Sequence, residues 1–477
     1  MIEKCQVFTP EDAVIKLLDV VGYTNDLYGK KVIENACGDG NILTVVVERY
    51  IIDCINQGYS IEMIKEGLER DIYGAEIDEG HYKQCILNLD EIAKQYKIVN
   101  VTWNILNVDI LKESLQIKFD FVVGNPPYIT YKDLDIETRN FVKGKFEVCR
   151  EGKFDYCYAF IEASIKLLSS TGKLSYLIPS SIFKNVFANN LRNYLLPSLT
   201  QIYDYQTIKL FNVLTSSAII VCDRGSMLEK IDYINLDKKS SYQIEKTSLT
   251  GKWNFTVNQN KAKLFKFGDY FNAAITIATL LNEAFILKKY SELLELEDGK
   301  KYVKANSFLI ERGLLKEAVS PRSLGYNKKE LIIFPYSYKN GLLERYSTKE
   351  FEEYFPRGTQ YLKSFYNKLQ KRDSDKSVRW FEYGRTQALA HLNQEKLLVS
   401  TVVTNQVNVY KLDKEIIPYS GIYITKNSNL DLDFAVRILE SKDFFEYATG
   451  IGINANGSSL RITAKDINNY VFNLEEV

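Results

Sequence analysis

The sequence predicts an α/β protein, with a doubly wound, mostly parallel sheet over its first half and a second, α+β domain after it. Two observations carry this. From Lys30 to about Arg224 apolar strand-like runs alternate with helical stretches, the pattern of parallel strands covered on both faces by helices. Between about 225 and 260 the chain turns polar and charged (DYINLDKKSSYQIEKTSLTGK), cysteines cease and the alternation becomes irregular. That change sets a boundary near 235 and predicts domains 1–235 and 236–477.

Taken in order, KKVIENACGDG begins apolar and ends in glycines, so a strand leads into a turn, and the stretch after it reads as helix to about Arg70. DIYGAEID reads as a second strand ending in carboxylates, which completes a βαβ unit. NVTWNILNVDIL supplies a third strand and FDFVVGNPPY a fourth. DYCYAFIEASIKLLSSTGK reads as a long helix closed by Gly172, LSYLIPSS as the strand after it, and QIYDYQ and SSAIIVCDR as closing strands. Beyond the boundary, short strands (ELIIFPYSY, KLLVSTVV, SGIYITKN) mix with helices (KEFEEYF, DLDFAVRILESKDFFEYA). No internal repeat or low-complexity tract is present.

Composition narrows the chemistry. The chain has 477 residues, 45% apolar and 26% charged, enough for two cores. Seven cysteines form no CxxC pair, which points to a reducing compartment and away from a disulfide framework or a zinc knuckle. The two histidines, His81 and His391, leave little for a histidine-rich metal site or a serine–histidine triad, so no metal is expected. A formal net charge of zero leaves nucleic-acid binding open, because a basic groove can be balanced elsewhere. The start MIEKCQVFTPEDA has no cationic segment leading into an apolar one, and no apolar run reaches the ~18 residues of a membrane span. The expectation is a cytoplasmic protein without a membrane partner.

The first candidate site lies where the strands end. Glu34 closes the first strand, and Ala36, Cys37, Gly38 and Gly40 follow in the turn. Small residues let a ligand approach the backbone, and a carboxylate beside them can bind an ammonium group or hydroxyls. An ordinary strand–helix turn has the same makeup. The turn lacks the third glycine of GxGxxG and carries Asp39, which would repel a pyrophosphate, so a phosphate-free ligand fits better. Glu76, ending the second strand, is placed to accept hydrogen bonds from ribose hydroxyls, and Ile77 to pack on an adenine face. Asp109, followed by Ile110, can accept from the adenine amino group. A ribose, an adenine and a cationic amino-acid tail without phosphate describe S-adenosylmethionine. Upstream, QVFTPEDA reads as a helix start with Thr9 as N-cap and Pro10 at the first helical position. Its amides and the Thr9 hydroxyl could hold the cofactor carboxylate.

The second site is Asn125-Pro126-Pro127-Tyr128, directly after an apolar strand. Successive prolines fix φ and hold the residue before them extended, so Asn125 and the Pro126 carbonyl share one rigid geometry. An amide oxygen and a backbone carbonyl together match the two hydrogens of an exocyclic amino group. They stabilise the positive charge that develops as that nitrogen attacks a methyl sulfonium. Tyr128 lies where a planar base could stack. A base that reacts through its amine must leave the duplex, at roughly a few kcal/mol, and aromatic stacking returns about 1–3 kcal/mol.

With these motifs in place, residues 6 to 224 resemble the amino-methyltransferases of bacterial restriction-modification systems, in particular the gamma arrangement of N6-adenine DNA methyltransferases. That arrangement runs from an FTP helix through acidic-Pro-Ala-Cys-Gly-x-Gly, an acidic strand end, Asp and NPPY to a C-terminal recognition domain, and this chain matches it in order. It departs at Asn35, usually proline, and at Asp39, often serine. The resemblance implies a Rossmann-like methyltransferase domain, S-adenosylmethionine as cofactor and double-stranded DNA as partner. It also implies a second base-contacting aromatic before the last strands, and KLFNVLTSSAIIVC then points to Phe211.

The stretches LLKEAVSPRSLGYN, LIIFPYSY, RWFEYGRTQAL and NANGSSLRITAKDI are similar to segments of the family's specificity domain, so the resemblance covers nearly the whole chain. Basic and aromatic residues interleave in KLQKRDSDKSVRWFEYGR, where Arg372, Lys376, Arg379 and Arg385 could meet phosphates or guanine edges. Ser458, Ser459 and Arg461 follow a Gly457 turn and stand on the same footing. A solvated charged loop has the same composition.

Three other readings compete. Protein glutamine N5-methyltransferases also use NPPY, but on much shorter chains without such a C-terminal domain. A catalytically inactive DNA-recognition subunit would not need Glu34, Glu76, Asp109 and NPPY intact. N4-cytosine methylation more often goes with serine in place of Asn125. No convincing PD-(D/E)xK pattern is present, so any cognate restriction endonuclease is expected to be a separate polypeptide.

Overall fold

A computed structural model of the chain describes residues 9–210, 216–255, 264–291, 293–295, 299–456 and 459–473. The chain divides into two compact units, Met1–Val257 and Asn258–Val477.

In the first unit one sheet holds β1 (Val32–Glu34), β2 (Ile72–Glu76), β3 (Asn104–Asn107), β4 (Phe119–Gly124), β5 (Leu168–Pro179), β6 (Leu199–Asp204), β7 (Ser217–Asp223), β8 (Lys230–Asn235) and β9 (Ser240–Glu245). The order across it is β3-β2-β1-β4-β5-β7-β6-β8-β9. The first five in that order run parallel. β7 is antiparallel to both β5 and β6, and β9 to β8. The helices are α1 (Glu11–Val21), α2 (Asn41–Asn56), α3 (Ile61–Asp71), α4 (Glu79–Gln95), α5 (Ile136–Lys145), α6 (Cys157–Leu167) and α7 (Asn189–Leu195).

Successive strand residues point to opposite faces, and the two cores divide accordingly. Val32, Val123, Leu177 and Ile219 are buried with residues of α1 to α4. Ile33, Val122, Tyr176, Ile178 and Ile220 are buried with residues of α6 and α7. This is the doubly wound α/β sheet that the alternation predicts. The chain steps outward from β1 to β2 and β3, then returns to place β4 on the other side of β1. A crevice at such a reversal, outside the carboxyl ends of the strands, is where open α/β sheets bind ligands.

The structure corrects several boundaries. The helix expected to run to Arg70 is two helices: Gly58, at φ +81°, breaks it, and Ser60 restarts it by accepting from the Met63 amide. The helix expected to close at Gly172 ends at Leu167, because Leu168 turns extended and pairs with Phe119. Helix α1 begins at Glu11, with Pro10 extended at the N-cap position and no side-chain cap, so Thr9 lies one residue outside. The division after 257 rather than near 235 follows from β9, which pairs with β8 along its whole length.

The second unit is α+β. One antiparallel sheet joins Phe271–Ile275, Ile422–Lys426, Lys396–Val399 and Val409–Leu412; a mixed sheet joins Ile286–Leu287, Glu330–Ile333, Leu315–Val319 and Ile417–Pro418, the last pair parallel. The expected helix over 431–448 is two, Leu432–Glu440 and Lys442–Ile451, because Ser441 caps the second by accepting from the Phe444 amide.

Candidate functional site

The carboxyl ends of β1, β2 and β4 and the turn after β3 open on one cavity of about 870 Å³. Thr9, Glu34, Ala36, Cys37, Gly38, Glu76, Ile77, Asp109, Ile110 and all four residues from Asn125 to Tyr128 line it. Of the residues predicted for this site and described by the structure, Pro10 and Gly40 are not among its walls.

β1 is apolar and fully buried, and it delivers Glu34 into the crevice at 3% exposure. One carboxylate oxygen, Oε2, is buried without a hydrogen-bond partner. Burial is the main cause that pushes this carboxyl well above the usual range, with Cys85 and Glu76 adding to it. The turn that follows depends on glycine. Gly40 sits at φ +81°, and a Cβ there would lie 2.7 Å from Cys85 Sγ, so neither the conformation nor the space admits a side chain.

Glu76 is oriented by that same turn: Oε2 accepts from the Gly38 amide at 2.8 Å and Oε1 from the Asp78 amide at 2.9 Å. A carboxylate has about four acceptor sites, so each oxygen keeps one. Ile77, beside it, is 53% exposed, an apolar side chain held out on the cavity wall. Asp109 accepts from the Leu111 amide at 3.1 Å, with Lys112 Nζ 3.7 Å away.

β4 ends at Gly124 and the chain enters NPPY. Asn125 Nδ2 donates to Thr9 Oγ1 at 3.2 Å, while Asn125 Oδ1 is buried with no hydrogen-bond partner. Thr9 is held in turn by Asn41, whose amide donates to the Thr9 carbonyl at 2.6 Å. Tyr128 is partly buried, and its hydroxyl donates to the Leu177 carbonyl at 3.0 Å.

Two unpartnered buried acceptors, Glu34 Oε2 and Asn125 Oδ1, therefore belong to residues that line the same crevice. Buried polar atoms without partners are rare and costly, and both sit where a ligand with donors would satisfy them. A second carboxylate, Glu76, retains acceptor capacity, and Ile77 offers an apolar face. This acceptor set fits a cationic nucleoside without phosphate. Among the described residues no cluster of His, Cys, Asp and Glu is arranged to hold a metal.

Residues 38–211 match the Eco57I restriction-modification methylase family. The match takes in Glu76, Asp109 and NPPY and stops short of Thr9 and Glu34. The Type II methyltransferase M.BstVI of Geobacillus stearothermophilus is 28% identical over 201 residues, 40% of this chain and 36% of that protein. The Type II restriction enzyme and methyltransferase RM.Eco57I of Escherichia coli is 24% identical over 383 residues, 68% of this chain and 37% of that protein. The chain thus spans little more than a third of the length of either relative. The solved Type IIL restriction-modification enzyme MmeI, in complex with DNA, has a TM-score of 0.62 at 13% identity, covering 97% of this chain and 67% of that one. That likeness is one of fold.

Several cavity residues were not expected as binding residues from the sequence. Asp39 and His81 hydrogen-bond across the mouth, and the Asp39 contact is the main cause raising the His81 imidazole above its ordinary value. Tyr156, Phe160 and Lys132 also line the wall. Each is brought there by a helix start or a loop after a strand, and no spacing in the sequence marks them.

In the second unit the predicted cations separate. Arg372 is a correction: its guanidinium donates to the carbonyls of Leu369, Thr279, Trp380 and Glu382 at 2.6–3.2 Å, and burial lowers its pKa. It ties backbone together, with four of its five N–H groups committed to carbonyls. Arg379 pairs with Glu382 at 3.4 Å, and Arg385 with Asp375 at 2.5 Å and Asp373 at 3.6 Å. Lys376 and Arg461 are exposed. Ser459 Oγ lies 3.1 Å from Thr404 Oγ1. Phe211 and Ser458 lie outside the described residues. No helix among the described residues is long and apolar enough to cross a membrane.

Proposed function

We propose that the chain is a site-specific DNA methyltransferase that moves a methyl group from S-adenosylmethionine to N6 of an adenine turned out of the duplex. The observation that carries the reading is Asn125 Oδ1, a buried acceptor without a partner, at the end of β4 in the same cavity as the unpartnered Glu34 oxygen. The family match over 38–211 and the Type II methyltransferases among the relatives support it.

Glu34 and the turn of Ala36, Cys37 and Gly38 hold the cationic amino-acid tail, together with the Thr9 hydroxyl. Glu76 accepts from the ribose hydroxyls, Ile77 packs on the adenine, and Asp109 and Ile110 bound its edge. When bound, the cofactor supplies a methyl carbon on a positively charged sulfur, electrophilic enough to need no protein nucleophile or metal. Asn125 Oδ1 and the Pro126 carbonyl accept the two hydrogens of the target amine. They orient its lone pair and stabilise the positive charge that nitrogen gains, before one of those protons is lost. Tyr128, its hydroxyl anchored on Leu177, gives the extruded base a fixed face on which to stack.

The second unit recognises the DNA site, with Lys376, Arg379, Arg385, Ser458 and Arg461 as its candidate contacts, Phe211 of the first unit as a further base contact, and any restriction endonuclease carried on a separate chain. The test is incubation with tritiated S-adenosylmethionine and unmethylated genomic DNA. Label recovered as N6-methyladenine supports the reading, and label in protein or in cytosine contradicts it.

A further inference from the structure

One buried polar cluster, which reaches the cavity through Asn35, has no part in the chemistry above. Asn35, Ser164 and Tyr176 are 2%, 0% and 0% exposed. The Tyr176 hydroxyl donates to Asn35 Oδ1. Asn35 Nδ2 donates to Ser164 Oγ at 2.7 Å, and Ser164 Oγ lies 2.6 Å from the Tyr176 oxygen and 2.7 Å from the Phe160 carbonyl. Satisfied buried networks of this kind rigidify what they join.

What this one joins is specific. Asn35 directly follows Glu34. Tyr176 is paired in register with Gly124, which directly precedes Asn125. A Cβ on Gly124 would stand 3.2 Å from Cε1 of Tyr176 and 3.8 Å from Cγ of Glu34. One side chain therefore presses its ring on β4 a residue before the amine acceptor, and grips with its hydroxyl the side-chain oxygen of the residue after the cofactor carboxylate. It does this where the turn carries asparagine, whose φ is not fixed by a ring.

We propose that Tyr176, with Asn35 and Ser164, is a positioning brace that sets the separation of Glu34 from Asn125, and so of the methyl donor from its acceptor. The brace rests on the proposed function. Its hydroxyl end holds the cofactor side, through Asn35, and its ring end holds the amine side, through Gly124.

The two ends can be tested apart in the whole 477-residue chain by titration calorimetry with S-adenosylmethionine and by turnover on unmethylated genomic DNA. Tyr176→Phe keeps the ring and loses the hydroxyl. It raises the cofactor Kd about tenfold, as expected for one buried hydrogen bond broken, and changes kcat at saturating cofactor by less than about threefold. Asn35→Ala raises Kd at least as much, since it also breaks the Asn35–Ser164 bond, and the double variant loses no more than the worse single, because both break the Tyr176–Asn35 contact. Tyr176→Leu removes the ring as well and lowers kcat at least about tenfold. Thermal midpoints identify variants that fail to fold, in which case Tyr176→Phe and the double variant decide. Wild-type Kd in Tyr176→Phe, losses that add in the double variant, or equal losses in Kd and kcat overturn the brace alone. A wild-type protein without affinity for S-adenosylmethionine overturns the functional reading and the brace with it.

Discussion

Glu34 and Asn125 each present one buried oxygen that the protein itself leaves unsatisfied. Without a ligand this arrangement destabilises the fold, and the direction of the Glu34 shift shows how. A carboxyl whose folded pKa is raised gives its full stability only below its unfolded pKa, about 4.3, and loses it as pH climbs through the folded value. Glu34→Gln removes that loss. The ligand-free variant is therefore about 1 kcal/mol more stable than wild type at pH 8, and the difference vanishes below about pH 4. The same substitution weakens S-adenosylmethionine binding at least about tenfold, because a neutral amide cannot pair with a cation. Denaturant melts at the two pH values and a binding isotherm check both halves. Glu34 and Asn125 were both legible in the sequence, since each ends an apolar run. The Asn35–Ser164 and Asn35–Tyr176 contacts were not, because they join residues 129 and 141 positions apart.

At the scale of elements, the turn from β1 into α2 and the NPPY corner do different work. The first must be small and the second must be stiff. Gly40→Ala forces a Cβ to 2.7 Å from Cys85 Sγ at φ +81°. Left-handed strain costs about 1–2 kcal/mol, and the clash adds to it. Thermal unfolding falls by several degrees, and cofactor affinity drops through displacement of the Gly38 amide that holds Glu76. An unchanged melting temperature would contradict this account of the turn. β1, β2 and β4 were read correctly because strands buried on both faces are near-continuous apolar runs. The helix breaks were missed at Gly58 and Ser441, since apolar periodicity continues across each break and only the cap residue records it.

Over the whole molecule, the boundary near 235 failed for a physical reason. β8 and β9 lie at the sheet edge, where one face meets solvent, so they read as polar connecting chain. The first unit needs them and the segment behind them. Trp253 is fully buried and stacks 5.9 Å from Phe183, and Phe255 stacks 4.4 Å from Tyr233. A chain ending at Asn235 therefore loses a strand and two core aromatics, and melts at least about 10 °C below one ending at Val257, in line with 3–5 kcal/mol for removing a buried aromatic. Equal melting temperatures would contradict the packing. Arg372 shows the converse limit: a basic, aromatic-rich stretch suggested DNA contacts, and folding used that guanidinium on four carbonyls.

The central claim is that Asn125 Oδ1 accepts the target amine, and one comparison tests it most directly. Wild type and Asn125→Ala are each titrated with S-adenosylmethionine and then assayed for N6-methyladenine formed in unmethylated DNA. The account predicts cofactor affinity within about threefold of wild type and methylation reduced at least about a hundredfold, the scale set by removing one hydrogen-bonding group that stabilises charge in a transition state. Undiminished N6-methyladenine in the variant would contradict it.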